Sequence, residues 1–373
     1  MIYLGISITL LILGIYDVFS EHKDRKELIL KIIIACLILF LGTRGFLGWD
    51  WYFYYPSFME GTYIYEKGYM IYTSFIGSIF KNYIFYQFLT TTIDFISLYY
   101  IFKRYCKYPI MAFAIFFSIQ GLHIEVELLR NIKAILLFLF SLKYFEERRV
   151  FPFLVLNIIG ISFHTSAILY LPMYFILNYK YKKEIVLGIF LIGSLYYLSN
   201  LKAIEFLLNY NWSFLPMAIA EKISSYKSIL PESLKREFNL FYIERLVLFF
   251  LAYLYEENRV IKNSLYILVG IFLFTSELSV GSLRIGILFI YSTWLVLTRS
   301  LEKNINKFVL ISVILLLSVT RIYRSINFPG NRINYKYENV LFNELNYKKR
   351  ETEIIKSKIY LKESHGKELL IQY

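Results

Sequence analysis

Long apolar runs separated by short charged turns constrain the fold of this 373-residue chain more than any other feature. Residues 2–18 and 83–102 are two such runs, and 57% of the chain is hydrophobic. A bilayer core needs about 20 apolar residues in each crossing helix. The runs do not alternate as barrel strands do, and lipid requires the backbone to satisfy its own hydrogen bonds. We therefore predict an all-α polytopic integral membrane protein with about 10–13 transmembrane or re-entrant helices.

Basic residues gather in the short turns between these runs. The net charge is +13, and basic clusters occur at residues 103–107, 148–149 and 180–183. Such loops mark the cytoplasmic side of a membrane protein, so the charge does not indicate a nucleic-acid partner. The same rule puts loop 48–68 on the outer side. We expect residues 1–320 to form the membrane domain and residues 321–373 to form a basic C-terminal tail.

An unusually long apolar run covers residues 150–177. Its middle is polar and reads Ser162, Phe163, His164, Thr165, Ser166. A run of this length exceeds the ~20 residues of a single crossing, and basic residues flank it at both ends. We predict two half-length helices that meet at His164 and return the chain to the side from which it came.

Three arginines and one histidine lie in or beside the apolar runs towards the outer side: Arg44, Arg130, Arg284 and His164. A charge at the bilayer centre costs about 2.5–3.5 kcal/mol or more, so each indicates a functional site. Arginine binds phosphate through two parallel hydrogen bonds, and a neutral imidazole can accept a proton. We predict a site that holds an anion and moves a proton. The alternative is that the arginines reach the interface or pair with nearby glutamates, and that His164 bonds across helices.

The outer loop 48–68 is rich in aromatic residues and carries one early carboxylate, Asp50. Trp49 and Trp51 could stack on sugar rings, although aromatic belts at the membrane interface have a similar composition. A belt needs no carboxylate, so Asp50 favours the binding interpretation. We also assign Glu127 to substrate binding. His123, Glu125 and Glu127 do not share one helix face, and we predict no metal site.

The order and spacing of these residues resemble the EpsG/Wzy-type polysaccharide polymerases. Arg44, Asp50 and Tyr54 stand in an R-x5-D-x3-Y pattern like that family's outer loop. The central block of the family also has its counterpart, with an arginine that opens a helix, a charged turn and an F-H-x-S-A…L-P motif. The residues that match this block in order are Arg130, His164, Ser166 and Pro172, and the later arginine helix corresponds to Arg284.

The resemblance implies an architecture related to the GT-C glycosyltransferases and a place in the bacterial cytoplasmic (inner) membrane. Its substrate would be an undecaprenyl-pyrophosphate-linked oligosaccharide, whose units are joined on the outer side into capsule, O-antigen or exopolysaccharide. The growing chain would leave its lipid pyrophosphate and be attacked by a hydroxyl of the next unit. Neither a cofactor nor a metal would be required. Membrane lipid, a chain-length regulator and a flippase would be its partners.

The catalytic residues expected on this basis are His164, Asp50, Arg130 and Arg284. The arginines would stabilise the leaving pyrophosphate, and either His164 or Asp50 would accept the hydroxyl proton. Substrate binding would involve Arg44, Tyr54, Trp49, Trp51 and Glu127. Two other functions remain open at this point: a ligase that transfers finished glycan, and a transporter or flippase of lipid-linked sugars. Transporters are often built from repeats, and the sequence shows none.

Overall fold

Helices make up the regular structure of the computed structural model, which describes residues 2–209, 236–303 and 306–365. Within these ranges there is no β-strand. The chain forms two compact units. The first comprises Met1–Asn178 and Leu297–Leu361, and the second comprises Tyr179–Val296 and Lys362–Tyr373. The predicted all-α class is confirmed.

The helices are numbered here in chain order over the described ranges. Those of the first unit are α1 (Ile2–Phe19), α2 (Lys23–Gly42), α3 (Trp51–Glu60), α4 (Lys67–Ile79), α5 (Tyr83–Tyr105), α6 (Pro109–Phe116), α7 (Leu122–Glu127), α8 (Leu129–Glu146), α9 (Val150–Phe163) and α10 (Met173–Asn178). Those of the second unit are α11 (Lys183–Leu198), α12 (Ala203–Asn209), α13 (Leu240–Tyr255), α14 (Arg259–Thr275) and α15 (Ser279–Gly286). The chain re-enters the first unit within α16 (Tyr291–Ser300) and adds α17 (Lys307–Asn327), α18 (Pro329–Asn334) and α19 (Tyr347–His365).

Three helical stretches in the described ranges are long and apolar enough to cross a membrane. They are α1, the stretch Pro109–Glu127 that contains α6 and α7, and α17. A fourth crossing is present if Gly281–Phe289 and Tyr291–Ser300, bent by 47°, count as one span. These helices confirm the predicted polytopic membrane fold. The total of 10–13 transmembrane or re-entrant helices stays a prediction.

Helix α1 packs closely against α6 and the segment that follows it at two small residues of its buried face, Ser7 and Gly14. Ser7 Oγ lies 2.5 Å from the Oγ of Ser118, the second residue after the end of α6. A Cβ atom on Gly14 would stand 3.0 Å from the Cα of Met111 and 3.0 Å from its Sδ. The hydrophobic effect does not drive helices together within lipid, so their association depends on van der Waals packing. Small residues allow the close backbone approach that such packing needs.

The predicted break in the long apolar run is confirmed at His164. Helix α9 ends at Phe163, and His164 has an extended backbone with φ −154° and ψ 119°. A short 3-10 helix, Thr165–Tyr170, follows and leads to α10. The ring of Tyr174 in α10 lies 5.1 Å from that of Phe153 near the start of α9. The chain therefore reverses direction at His164 and packs back along α9.

Loop 48–68 is more ordered than we predicted, because α3 forms within it. Asp50 occupies the N-cap position, and Gly61 ends the helix with a positive φ of 73°. Helix α17 continues to Asn327, past residue 320, where we placed the boundary between the membrane domain and the C-terminal tail, and that division stays a prediction. Beyond α17, Tyr335 and Ile354 are buried in the first unit.

The contact between α1 and α6 can be tested with a larger residue at Gly14. Replacing Gly14 by leucine should destabilise the protein by about 1–3 kcal/mol, because the side chain must displace the backbone of Met111. Gly5→Leu on the same helix is the matched control, since nothing lies within 4 Å of a Cβ built there. Thermal unfolding in detergent measures both variants. Equal melting temperatures for Gly14→Leu and Gly5→Leu would contradict the packing described here.

Candidate functional site

Arg130 and His164, both predicted as catalytic, meet on a single carboxylate in the first unit. Arg130 Nη1 lies 2.6 Å from Glu66 Oε2. His164 Nδ1 lies 3.1 Å from the other oxygen, Glu66 Oε1. Arg130 stands in the first turn of α8, His164 ends α9, and Glu66 occupies the N-cap position of α4. The carboxylate of Glu66 therefore joins three helices that are separate in the sequence.

Thr165 supplies two further donors to the same carboxylate. Its backbone N–H donates to Glu66 Oε1 over 3.1 Å, and its hydroxyl donates to that oxygen over 3.2 Å. The extended backbone of His164 makes this possible, because it turns the chain so that Thr165 begins the 3-10 helix beside Glu66. The result is a compact anion-binding arrangement in which Glu66 is the bound anion.

A glycine allows α4 to come close enough for this contact. A Cβ atom on Gly68 would stand 2.0 Å from the Oγ of Ser162 and 2.8 Å from the Ser162 carbonyl oxygen. Ser162 is the second-last residue of α9, two positions before His164. The first turn of α4 can thus approach the end of α9 because Gly68 has no side chain.

The electrostatics of Glu66 follow from these donors. Burial alone would raise the pKa of the carboxyl group. The Thr165 N–H and the Arg130 guanidinium outweigh burial and lower the pKa of Glu66 to about 2. Hydrogen bonds and an opposite charge both favour the ionised form of a carboxyl group. Glu66 is therefore an anion at every physiological pH.

The cluster remains open to a ligand. The exposed fractions of the side chains are 24% for Arg130, 14% for Glu66 and 21% for His164. Arg130 bonds Glu66 through Nη1 and Tyr54 Oη through Nε, the latter over 3.4 Å. Its Nη2 makes no hydrogen bond to any residue in the described ranges. A guanidinium has donors on several edges, so Arg130 can hold Glu66 and an incoming phosphate together.

Aromatic rings surround Arg130. The guanidinium carbon lies 4.4 Å from the ring centre of Tyr65, within the range of a cation–π contact. Burial raises the pKa of Tyr65 to about 12, against the opposing effect of Arg130 and with a contribution from Asp50. Asp50 is thus close enough to act electrostatically on the residues around Arg130. Tyr54, assigned to substrate binding, is buried and presents its hydroxyl to Arg130.

Glu127 holds the loop that carries Asp50. This buried carboxylate accepts the backbone N–H groups of Trp49 over 2.8 Å and Asp50 over 2.9 Å. Gly48 precedes them with a φ of +82°, and a Cβ atom there would stand 2.6 Å from Glu127 Oε1. We assigned Glu127 to substrate binding. In the structure its carboxylate contacts the backbone of the loop, and the assignment stays a prediction.

The two tryptophans of this loop differ in their surroundings. Trp51 is 2% exposed, and its ring lies 4.8 Å from that of Phe46 and 5.6 Å from that of Tyr347. It belongs to the aromatic core of the loop. Trp49 is half-buried at the edge of the same cluster. Of these two, Trp49 is the residue that a sugar could reach.

Arg44 lies in the interior, where protein groups take up its donors. It is 1% exposed. Nη1 donates to the Leu41 carbonyl over 2.5 Å and to Thr91 Oγ1 over 3.2 Å, and Nη2 donates to the Glu125 carbonyl over 3.1 Å. In this arrangement Arg44 connects the end of α2 to α5 and α7, whereas we expected it to bind substrate.

A buried ion pair near Arg130, formed by Lys133 and Asp94, was not among the site residues that we predicted from the sequence. Lys133 Nζ lies 2.5 Å from both carboxylate oxygens of Asp94 and also donates to the Thr90 carbonyl. Lys133 follows Arg130 by three positions on α8, so the two share a helix face. The pair fixes α8 to α5 directly beneath the site. Asp94 could have been found as the single charged residue of the apolar run 83–102.

Arg284 belongs to the second unit. It lies in α15 and is exposed. The cluster around Glu66 consists of residues of the first unit. The role of Arg284 in catalysis stays a prediction.

The residues that we considered as metal ligands have other contacts. His123 Nδ1 lies 3.1 Å from the hydroxyl of Tyr335. Among the described residues, no group of three or more His, Cys, Asp or Glu side chains is arranged to hold a metal ion.

Comparison with known proteins gives one match. The sequence model of the EpsG family matches residues 27–339, a range that includes every residue discussed above from Arg44 to Arg284. No curated protein and no solved structure matches the chain. The match covers most of the chain and agrees with the polytopic helical fold. The chain therefore belongs to the EpsG family, as a multi-pass membrane protein of polysaccharide biosynthesis and a glycosyltransferase-like polymerase.

Proposed function

We propose that this protein joins undecaprenyl-pyrophosphate-linked oligosaccharide units into a polysaccharide at the outer face of the bacterial cytoplasmic membrane. One observation carries the proposal: Arg130, Thr165 and His164 converge on one partly exposed point, where the Glu66 carboxylate now lies. This is the combination of groups that the reaction needs, namely cationic and N–H donors for an anion beside an imidazole.

The anion-binding part of the site suits a pyrophosphate leaving group. As the bond to the sugar breaks, negative charge grows on the leaving oxygen and must be stabilised. Arg130 offers Nη2 while Nη1 keeps its bond to Glu66. Donors fixed before the reaction stabilise such charge better than donors that must reorganise. The Lys133–Asp94 pair beneath Arg130 would supply this rigidity.

His164 is the general base in this proposal, with Glu66 as the group that orients it. With a proton on Nδ1, the imidazole donates to Glu66, and in this tautomer Nε2 carries the lone pair that would accept the proton of the sugar hydroxyl. A carboxylate behind a histidine fixes the tautomer and stabilises the imidazolium that forms. Asp50, the other candidate base, would instead help to orient the acceptor sugar from its place near Tyr65.

The proposed function predicts a distinct product pattern for site variants. In cells that lack the native protein, Arg130→Ala or His164→Ala should abolish the long-chain ladder and leave single lipid-linked units. Loss of one such stabilising donor slows a reaction about 100- to 1,000-fold. Arg149→Ala is the matched control, because this arginine is exposed and pairs loosely with Glu147.

Gel analysis of surface glycan measures the outcome. Single units that accumulate on the outer surface would exclude a transporter, because export would have occurred without polymerisation. A normal ladder from Arg130→Ala and His164→Ala, with both proteins inserted normally, would refute the proposal.

Glu66→Gln should make the stability of the folded protein less dependent on pH below 4.5. The pKa of Glu66 is about 2 in the folded protein and 4.5 in the unfolded chain, so its stabilisation is complete above pH 4.5 and is lost as the pH falls towards 2. The melting temperature of the wild type should exceed that of Glu66→Gln at pH 7, and the difference should shrink below pH 4.5. Glu60→Gln, in the same segment, provides the control. A difference that stays constant down to pH 3 would show that the charge of Glu66 is not stabilising.

Gly68→Ala should reduce polymer formation, because the added methyl group would push α4 away from Ser162 and separate Glu66 from His164. A misplacement of about 1 Å at such a site can cost about 100-fold in rate. Gly77→Ala on the same helix is the control, since its Cβ would make ordinary contacts at 3.7 Å with Phe58. Polymer synthesis per amount of inserted protein is the measurement. Equal synthesis by both variants would contradict this role of Gly68.

A further inference from the structure

The segment 334–350, called here the C-terminal strap, lies along the loop 43–48 that joins α2 to α3. Backbone hydrogen bonds connect the two. Val340 N–H donates to the Thr43 carbonyl over 3.0 Å, and Gly45 N–H donates to the Glu338 carbonyl over 2.8 Å. Arg44 and Asn339 form an isolated antiparallel bridge between these bonds. The strap thus supplies backbone partners that the loop, being neither helix nor sheet, cannot supply for itself.

Side chains of the strap add to this contact. The hydroxyl of Tyr337 donates to the Phe40 carbonyl over 2.8 Å, and Asn339 Nδ2 donates to Thr43 Oγ1 over 2.8 Å. At the other end, the ring of Tyr347 stacks on that of Tyr55 in α3 with centres 4.5 Å apart. The strap therefore reaches from the end of α2 to the middle of α3.

Arg350 closes the strap onto the loop. It is 3% exposed. Its Nε donates to the Phe46 carbonyl over 3.1 Å, and its Nη2 donates to the Asn334 carbonyl over 3.0 Å. Nη1 pairs with Glu353 at 2.7 Å. One planar guanidinium thus binds the loop and the first residue of the strap together, which a lysine with its single charged nitrogen cannot reproduce.

The loop is held from its opposite end by Glu127, through the N–H groups of Trp49 and Asp50. Directly after these residues begins α3, whose Tyr54 contacts Arg130. The position of Tyr54 and Asp50 beside Arg130 therefore depends on how the loop is fixed at both ends. Arg350 lies beyond residue 339, where the match to the EpsG family model stops.

We propose that the C-terminal strap is a positioning element of the active site, and that Arg350 is the residue that transmits its hold to the loop carrying Asp50. This proposal rests on the proposed function, because it treats Arg130 and the residues beside it as the reaction centre. The strap contacts the loop and α3, whereas the Arg130 and Thr165 donors come from other elements. Loss of Arg350 should therefore leave these donors for the pyrophosphate in place and slow the reaction more than it weakens binding of the lipid-linked donor.

The test compares Arg350→Met and Arg350→Lys with Lys349→Ala, an exposed neighbour on α19. Purified full-length protein in liposomes is given lipid-linked repeat units, and kcat and KM are measured per amount of folded protein. We expect Arg350→Met to lose about 10- to 100-fold in kcat, with KM changed less than about threefold. Arg350→Lys should recover part of the loss, and Lys349→Ala should match the wild type.

Hydrogen exchange of the amides in loop 43–48 provides a readout that does not need activity. Exchange should accelerate in Arg350→Met and remain normal in Lys349→Ala. If Arg350→Met fails to accumulate, Arg350→Lys and Tyr337→Phe decide the question by the same two measurements. Wild-type kcat in these variants would overturn the proposal, and so would unchanged exchange of the loop. Failure of the proposed function would give a different result from failure of this proposal. Arg130→Ala would then polymerise normally, independently of the hydrogen exchange measured in loop 43–48.

Discussion

The carboxylate of Glu66 is the interaction on which the rest of the site depends. Arg130, Thr165 and His164 come from elements far apart in the chain, and each contacts this group. A half-buried anion is costly unless it is paired and hydrogen-bonded, and here an arginine and three further polar contacts meet that requirement. Two local features make the contact possible: the break in the helix at His164 and the missing side chain at Gly68.

The arginines of this protein show that residue type alone does not determine a role. Arg44 and Arg350 are buried, and their hydrogen bonds go largely to backbone carbonyls, so they act as fixed cross-links between segments. Arg130 has a quarter of its side chain exposed, and its Nη2 makes no hydrogen bond to any residue in the part of the chain that the structure describes. A guanidinium that remains charged in all conditions can serve either purpose. What separates the two purposes is how many of its donors the protein itself occupies.

The sequence allowed the membrane fold, the break at His164 and the candidates Arg130 and His164 to be predicted, because each depends on local signals. Apolar runs indicate crossing helices, and polar residues inside them are conspicuous. Glu66 could not be found in this way, since it lies in an aromatic loop where a charged residue costs little. Its importance comes from the tertiary contact with Arg130. Trp51 and Glu127, which we assigned to substrate binding, are both buried: Trp51 lies among the aromatic rings of the loop, and Glu127 contacts the loop backbone from α7. Their assignment to substrate binding stays a prediction.

The role of the C-terminal segment was also beyond sequence reasoning. Its basic composition resembles a solvated tail, and the match to the family ends at residue 339. Its contact with loop 43–48 is made through backbone hydrogen bonds, which are independent of side-chain identity. The family match indicates the class of reaction, and the strap is proposed to position the loop that carries Asp50 in this chain.

The central claim is that Glu66 and His164 act as one unit, and a double-mutant cycle on kcat tests it most directly. Glu66→Gln, His164→Ala and the double variant are compared with the wild type in liposomes that contain lipid-linked repeat units. If Glu66 acts through His164, the double variant will be no slower than His164→Ala, because residues that work as a unit are strongly non-additive. If the two losses multiply, Glu66 and His164 act independently, and the dyad described here is not the base of this enzyme.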